Sequence, residues 1–92
     1  MKYDKMAQQF AAKYGFSIEE ADRVGKAAVY ASDLYPDCSW IVASMKAITG
    51  DDGAITASID ILPNSHVDER RRITMVFSAD GTIMDQKDVK LS

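Results

Sequence analysis

The hydrophobic period of this chain changes once, at Pro36, and that change limits the fold more than any other feature. Before Pro36 apolar residues recur every three to four positions, the repeat of an amphipathic helix. After it they alternate, the repeat of a half-buried strand. Tyr3, Met6, Ala7, Phe10, Ala11 and Tyr14 predict a first helix whose wet side carries Lys5, Gln8, Gln9 and Lys13. Gly15 suits the left-handed position that ends such a helix, with Phe16 placed to fold back on Phe10 and Ala11. Ser17 and Glu20 have the spacing of a capping box, so a second helix starts at once and runs over 18–34. Its buried stripe is Ala21, Val24, Ala27, Ala28, Ala31, Leu34 and Tyr35. Its exposed side carries the pairs Glu19 with Arg23 and Asp22 with Lys26. Gly25, in line with Ala21 and Ala28, predicts close packing within the domain. Pro36 cannot continue the helix.

Four strands are expected beyond it. Ile41, Ala43, Met45 and Ala47 share one parity, as do Ile55, Ala57, Ile59 and Ile61, and then Ile73, Met75 and Phe77. The run over 82–91 is the weakest, because Asp85 and Lys87 share parity with Ile83; it reads as a bulged edge strand guarded by charge. Facing residues of equal parity require an odd-length turn at Gly50-Asp51-Asp52-Gly53. They also pair Phe77 with Ile83 across Ala79-Asp80-Gly81, with Gly81 in the left-handed position of a bulged turn. At 92 residues the chain has room for one core. The expected architecture is a single αα-ββββ domain over 1–92. It is α+β, with two N-terminal helices packed on one face of a four-stranded antiparallel β-meander.

Composition removes several function classes. Eleven basic and fourteen acidic residues give a net charge of −3, which suits neither a generic nucleic-acid binder nor an acidic DNA mimic. No apolar run is long enough to span a membrane, and Lys2, Asp4 and Lys5 interrupt any secretory signal. A single cysteine permits no internal disulfide and fits a reducing, cytoplasmic setting. Cys38 and His66 are the only cysteine and histidine, too few for a zinc site. As a nucleophilic pair they lack an activating neighbour, since the nearest charge to Cys38 is acidic Asp37 and His66 lies in the polar connector over 63–69. Asp51-Asp52-Gly53 lacks the ligand spacing of a calcium loop and reads as a turn. No glycine-rich loop opens a helix to cradle phosphate. The expectation is a protein that is not an enzyme, with no cofactor, no metal and no free small-molecule substrate.

What remains is a surface. Arg70, Arg71 and Arg72 form the densest positive charge in the chain, at the entrance to the third strand. Alternation sends Arg70 and Arg72 away from Ile73, and Arg71 to the other face or the sheet end. Guanidinium grips carboxylate or phosphate with two parallel bonds; pairing with Asp60, Asp68 or Glu69 at a solvated strand end is the plainer account. Trp40, Val42, Ile48, Leu62 and Val76 share parity with Lys46 and Arg72, an interface-like mixture. The candidate partner-binding residues are therefore Arg70, Arg71, Arg72, Lys46 and Trp40. Arg23, Lys26 and Tyr30, on the exposed side of the second helix, form a secondary candidate.

A compact, acidic domain of two helices and four strands resembles small anti-CRISPR proteins carried by phages, in architecture and over the whole chain. The resemblance implies a stoichiometric inhibitor of a host nucleoprotein machine, a CRISPR surveillance complex. Its partners would be Cas subunits with guide RNA in the host cytoplasm. The competing expectation is a housekeeping domain that binds a peptide or a partner subunit through its sheet. A small hydrolase using Cys38 and His66 comes third.

Overall fold

The computed structural model describes residues 5–36, 40–63 and 70–91. Two helices, α1 (Lys5–Tyr14) and α2 (Ile18–Leu34), precede four strands, β1 (Trp40–Thr49), β2 (Ile55–Pro63), β3 (Arg71–Phe77) and β4 (Ile83–Lys90). The strands lie side by side in chain order, each antiparallel to the next. Both helices sit on one side of this open sheet, α2 against β1, β2 and β3, and α1 along α2. The α+β architecture expected from the change of period is the one formed. Tyr3, Asp37, Cys38, His66, Asp68 and Glu69 lie outside the described residues.

Local signals set the helix ends. Gly15 takes a φ of 76°, and its N–H reaches the Ala11 carbonyl at 2.9 Å, closing α1. Phe16 then stacks on Phe10 with ring centroids 6.0 Å apart. At the start of α2 both capping-box bonds form: Glu20 N–H to the Ser17 hydroxyl at 3.1 Å, and Ser17 N–H to the Glu20 carboxylate at 3.0 Å. The second Glu20 oxygen accepts from the Thr49 hydroxyl at 2.8 Å, fixing the start of α2 to the end of β1.

The core forms where the small side of α2 meets the apolar parity of the sheet. Val24, Ala27 and Ala31 pack on Ala57, Ile59, Ile61, Ile73, Met75 and Phe77, and Phe10 and Tyr35 close its margins. Alanines let the helix backbone approach closely, so the large residues of the strands fill the layer between. Two expectations for the packed side of α2 change. Leu34 is exposed rather than part of the stripe. Gly25 is exposed too, and a Cβ added there would meet nothing within 4 Å, so no close packing in the domain requires it.

Two bulges shift the sheet register. In β1 the register changes between Val42 and Ser44, leaving Ala43 as the extra residue. Beyond it Val42 pairs with core residue Ile61, and Ile41 pairs with Leu62. Ile41, expected inside, therefore turns to the side without helices and is 64% exposed. The second shift lies between Val76 and Phe77, where Met84 is extra in β4. It resolves the parity conflict of that strand: Ile83 still faces Phe77, while Asp85 and Lys87 pair with Val76 and Thr74.

Both hairpins turn through three residues. Gly50 and Ala54 close one across Asp51-Asp52-Gly53 at 2.8 Å, and Ser78 and Thr82 the other across Ala79-Asp80-Gly81 at 2.8 Å. Gly53 and Gly81 take φ of 85° and 91°, as the bulged turn demands.

Candidate partner-binding face

Strand alternation splits the three arginines between the two sides of the sheet. Arg71 shares the parity of Ile73 and lies on the helix side. Its Nε donates to Asp88 Oδ1 at 2.8 Å, and the Tyr35 hydroxyl donates to Asp88 Oδ2 at 2.5 Å. The guanidinium also lies 5.9 Å from the Tyr35 ring centroid. This cluster joins the end of α2 to β3 and β4, so Arg71 has a structural task and leaves the proposed docking set.

Arg72 points to the open side and grips Asp60 with two bonds, Nε to Oδ1 at 2.8 Å and Nη2 to Oδ2 at 3.0 Å. Asp60 is nearly buried, whereas Arg72 stays half-exposed. The Arg72 hydrogen bond holds the Asp60 carboxyl below its ordinary 3.8 against the opposing effect of burial. Arg70 is exposed at the strand entrance, where its carbonyl accepts the Leu91 N–H at 2.7 Å.

Three carboxylates stabilised by the fold make acid the expected denaturant. Glu20 is lowered from 4.5, chiefly by the Ser17 N–H. Asp80 is lowered to about 2, chiefly by the Ser78 hydroxyl, with Thr82 also bonded to it. Asp60 is the third. A depressed folded pKa contributes stability that is present above the unfolded value and lost as pH falls through the folded one. Melting temperature should therefore hold above pH 4.5 and fall towards pH 2. An Arg72→Ala variant should start less stable at neutral pH and lose less on acidification, so the two curves converge.

The secondary candidate does not form a shared exposed surface. Arg23, expected on the wet side of α2, is only 4% exposed. Its Nη1 pairs with Asp22 rather than Glu19, and its guanidinium carbon lies 5.5 Å from the Phe77 ring centroid. A Cβ on Gly81 would come within 3.0 Å of Arg23 Nη2, so the glycine leaves room for this side chain as well as for its own turn. Among the described residues the buried Nε has no hydrogen-bond partner. Tyr30 is half-buried against the core, and only Lys26 is exposed, 3.3 Å from Asp22. The physical cause is position: Arg23 shares the helical spacing of Ala27 and Tyr30, so it lies at the margin of the buried stripe. Arg23→Ala should cost about 1–3 kcal/mol through lost packing, and Arg23→Met should restore most of it, read by denaturant unfolding. An exposed arginine would show neither effect.

Among the described residues no helix packs on the open side of the sheet. Lys46, Ser58, Thr74 and Lys87 form one continuous cross-strand row there. A second row is Ser44, Asp60, Arg72 and Val89, and a third is Ile48, Thr56, Val76 and Asp85. Ile41, Ile48 and Val89 are exposed on this side, by 64%, 56% and 49%. Among the described residues its strands carry three basic side chains (Lys46, Arg72 and Lys87) against two acidic ones (Asp60 and Asp85), with Arg70 at the strand entrance close enough to act on Asp60, in a chain whose net charge is −3. The face is thus locally basic. Lys46, Arg70 and Arg72 keep their place in it. Trp40 does not keep the register that its parity suggested, because the Ala43 bulge pairs it with Pro63, and its side chain lies outside the described residues.

No family match, no curated relative and no solved structure comes out of comparison with known proteins. Among the described residues no helix is long and apolar enough to cross a membrane, and no three His, Cys, Asp or Glu residues gather to hold a metal ion. Ser58, Thr74 and Lys87 were not singled out by sequence reasoning. The first two share parity with Lys46, a legible signal; the Met84 bulge hides Lys87.

Proposed function

We propose that the protein acts by binding a partner protein across the uncovered face of its sheet, without catalysis. The supporting observation is the make-up of that face, with exposed aliphatic residues at its two ends and a basic excess between them. An antiparallel sheet with one wet face ordinarily presents polar side chains there. Exposed isoleucines beside cations instead have the composition of an interface, with an apolar part and a charged rim. The basic excess makes an acidic partner surface the complementary one. The architectural resemblance to anti-CRISPR proteins makes a CRISPR surveillance complex the first partner to test, and a stoichiometric inhibitor the biological role. Under this reading Cys38 and His66 carry no chemistry.

The test is affinity capture from host lysate with wild type, an Ile41→Glu/Ile48→Glu variant and a Val29→Glu control on the helix side. The first pair alters two exposed side chains, so folding should change little. Partner retention should fall at least about tenfold, equivalent to ~1.4 kcal/mol, in the double variant and persist in the control. Loss in the control alone would move the interface to the helices. Recovery of Cas subunits identifies the inhibitor role, whereas another subunit identifies a housekeeping adaptor using the same face.

A further inference from the structure

We infer that the centre of this face grips the carboxylates of an acidic helix, which the partner protein lays along the strands. The inference rests on the binding reading above and names the chemistry of the partner. Its basis is the cross-strand row of Lys46, Ser58, Thr74 and Lys87, which puts two hydroxyls between two ammonium groups. At strand spacing the outer Cα atoms of that row are about 14 Å apart, and a lysine side chain reaches roughly half that distance. Both lysines can therefore close on an anion held above Ser58 and Thr74.

The row is also available. Among the described residues Lys46 has no ion pair, and the Ser58 and Thr74 hydroxyls have no hydrogen-bond partner. Lys87 approaches Asp85 at 3.4 Å, but both are exposed, so a carboxylate from outside competes with that contact at little cost. Arg72 occupies the adjoining row and adds positive charge, although its own bonds go to Asp60.

Apolar residues bracket this polar centre. Ile48 and Val76 lie one row away on one side, about 7 Å, and Ile41 and Leu62 lie two rows away on the other, about 14 Å. An occupant must place carboxylates between two apolar anchors about 20 Å apart. A helix of about four turns has that length and carries side chains along one line. The opposite side of the sheet already takes a helix, so a second would complete a layered arrangement common to sheets.

Nucleic acid fits less well. Among the described residues the face carries no aromatic ring on which a base could stack. A second copy of the same face fits no better, since stacking would bring two basic surfaces together.

The experiment is a titration of isotope-labelled protein, followed by backbone amide NMR, with three probes. They are a synthetic helix of about four turns with leucines at its ends and glutamates between, its glutamine counterpart, and oligouridylate. The glutamate helix should shift the amides of Lys46, Ser58, Thr74 and Lys87, bind roughly tenfold tighter than the glutamine helix, and weaken with salt. Lys46→Glu/Lys87→Glu, at two exposed positions, should abolish the response while leaving the remaining spectrum folded. Stronger shifts of this row by oligouridylate would overturn the inference in favour of nucleic acid. Probe-free shifts that grow with protein concentration would overturn it in favour of a second copy. Equal response to both helices, or none, would leave the row a solvated surface. Capture with the same charge-reversed variant separates the two levels. Partner loss in Ile41→Glu/Ile48→Glu, with full retention in Lys46→Glu/Lys87→Glu, removes the carboxylate grip and keeps the binding face. Full retention in both removes both.

Discussion

Ile59→Asp is expected to unfold the domain or bring it close to unfolding. Ile59 is 1% exposed at the centre of β2, between Met45 and Ile73, and beneath the small side of α2. A carboxylate there has no cation within the apolar cluster and no water, so it must be buried unpaired or remain protonated. Either route adds to the loss of the isoleucine packing, and the total should be at least ~4 kcal/mol. A domain of this length has roughly 5–14 kcal/mol in all. Ile59→Val, which removes one methylene at the same place, should cost only about 1 kcal/mol. Denaturant unfolding of the pair reads the difference, and similar midpoints would show that the buried face has been misassigned.

Phe77→Ala should have the second-largest effect. Phe77 is fully buried where β3 meets the second hairpin, paired with Ile55 on one side and Ile83 on the other. Arg23 and Lys26 both approach its ring, so the aromatic face supports the one buried guanidinium as well as the core. Truncation should cost about 3–5 kcal/mol. Phe77→Leu should cost less by packing alone, though it too removes the ring. If Arg23 depends on that ring, the Arg23→Met substitution should relieve part of the damage in Phe77→Ala, an interaction measurable by a double-mutant cycle.

The elements themselves were legible because each carried its own period and its own punctuation. Ser17 with Glu20, Gly15 and Gly81 announced local geometry that the fold uses directly. Parity likewise set an odd turn between β1 and β2, and three residues fill it. Bulges were harder to read. Ala43 leaves no mark in composition, yet the one extra residue sends Ile41 to the open face and moves Val42 opposite Ile61. At Met84 the sequence held a usable sign, the clash of parity between Ile83 and its charged neighbours, but not the position of the extra residue.

Charge was the least readable feature. Acid–base spacing along α2 made Arg23 look solvated, whereas tertiary packing buries it over Phe77. The run of three arginines looked like one patch. Alternation distributes it to Asp88 on one side and Asp60 on the other, where pairing satisfies much of its charge. The remaining basic excess on the open face could only be seen after the second bulge brought Lys87 across from Thr74.

Whether the proposed partner occupies the side of the sheet opposite the helices can be read by site-specific photo-cross-linking, using the full chain with a photoreactive side chain at Thr74 on that face or at exposed Val29 on α2. In cell lysate a partner should cross-link from position 74, Ile41→Glu/Ile48→Glu should suppress the product, and position 29 should give none. A product from position 29, with none from position 74, would contradict that placement.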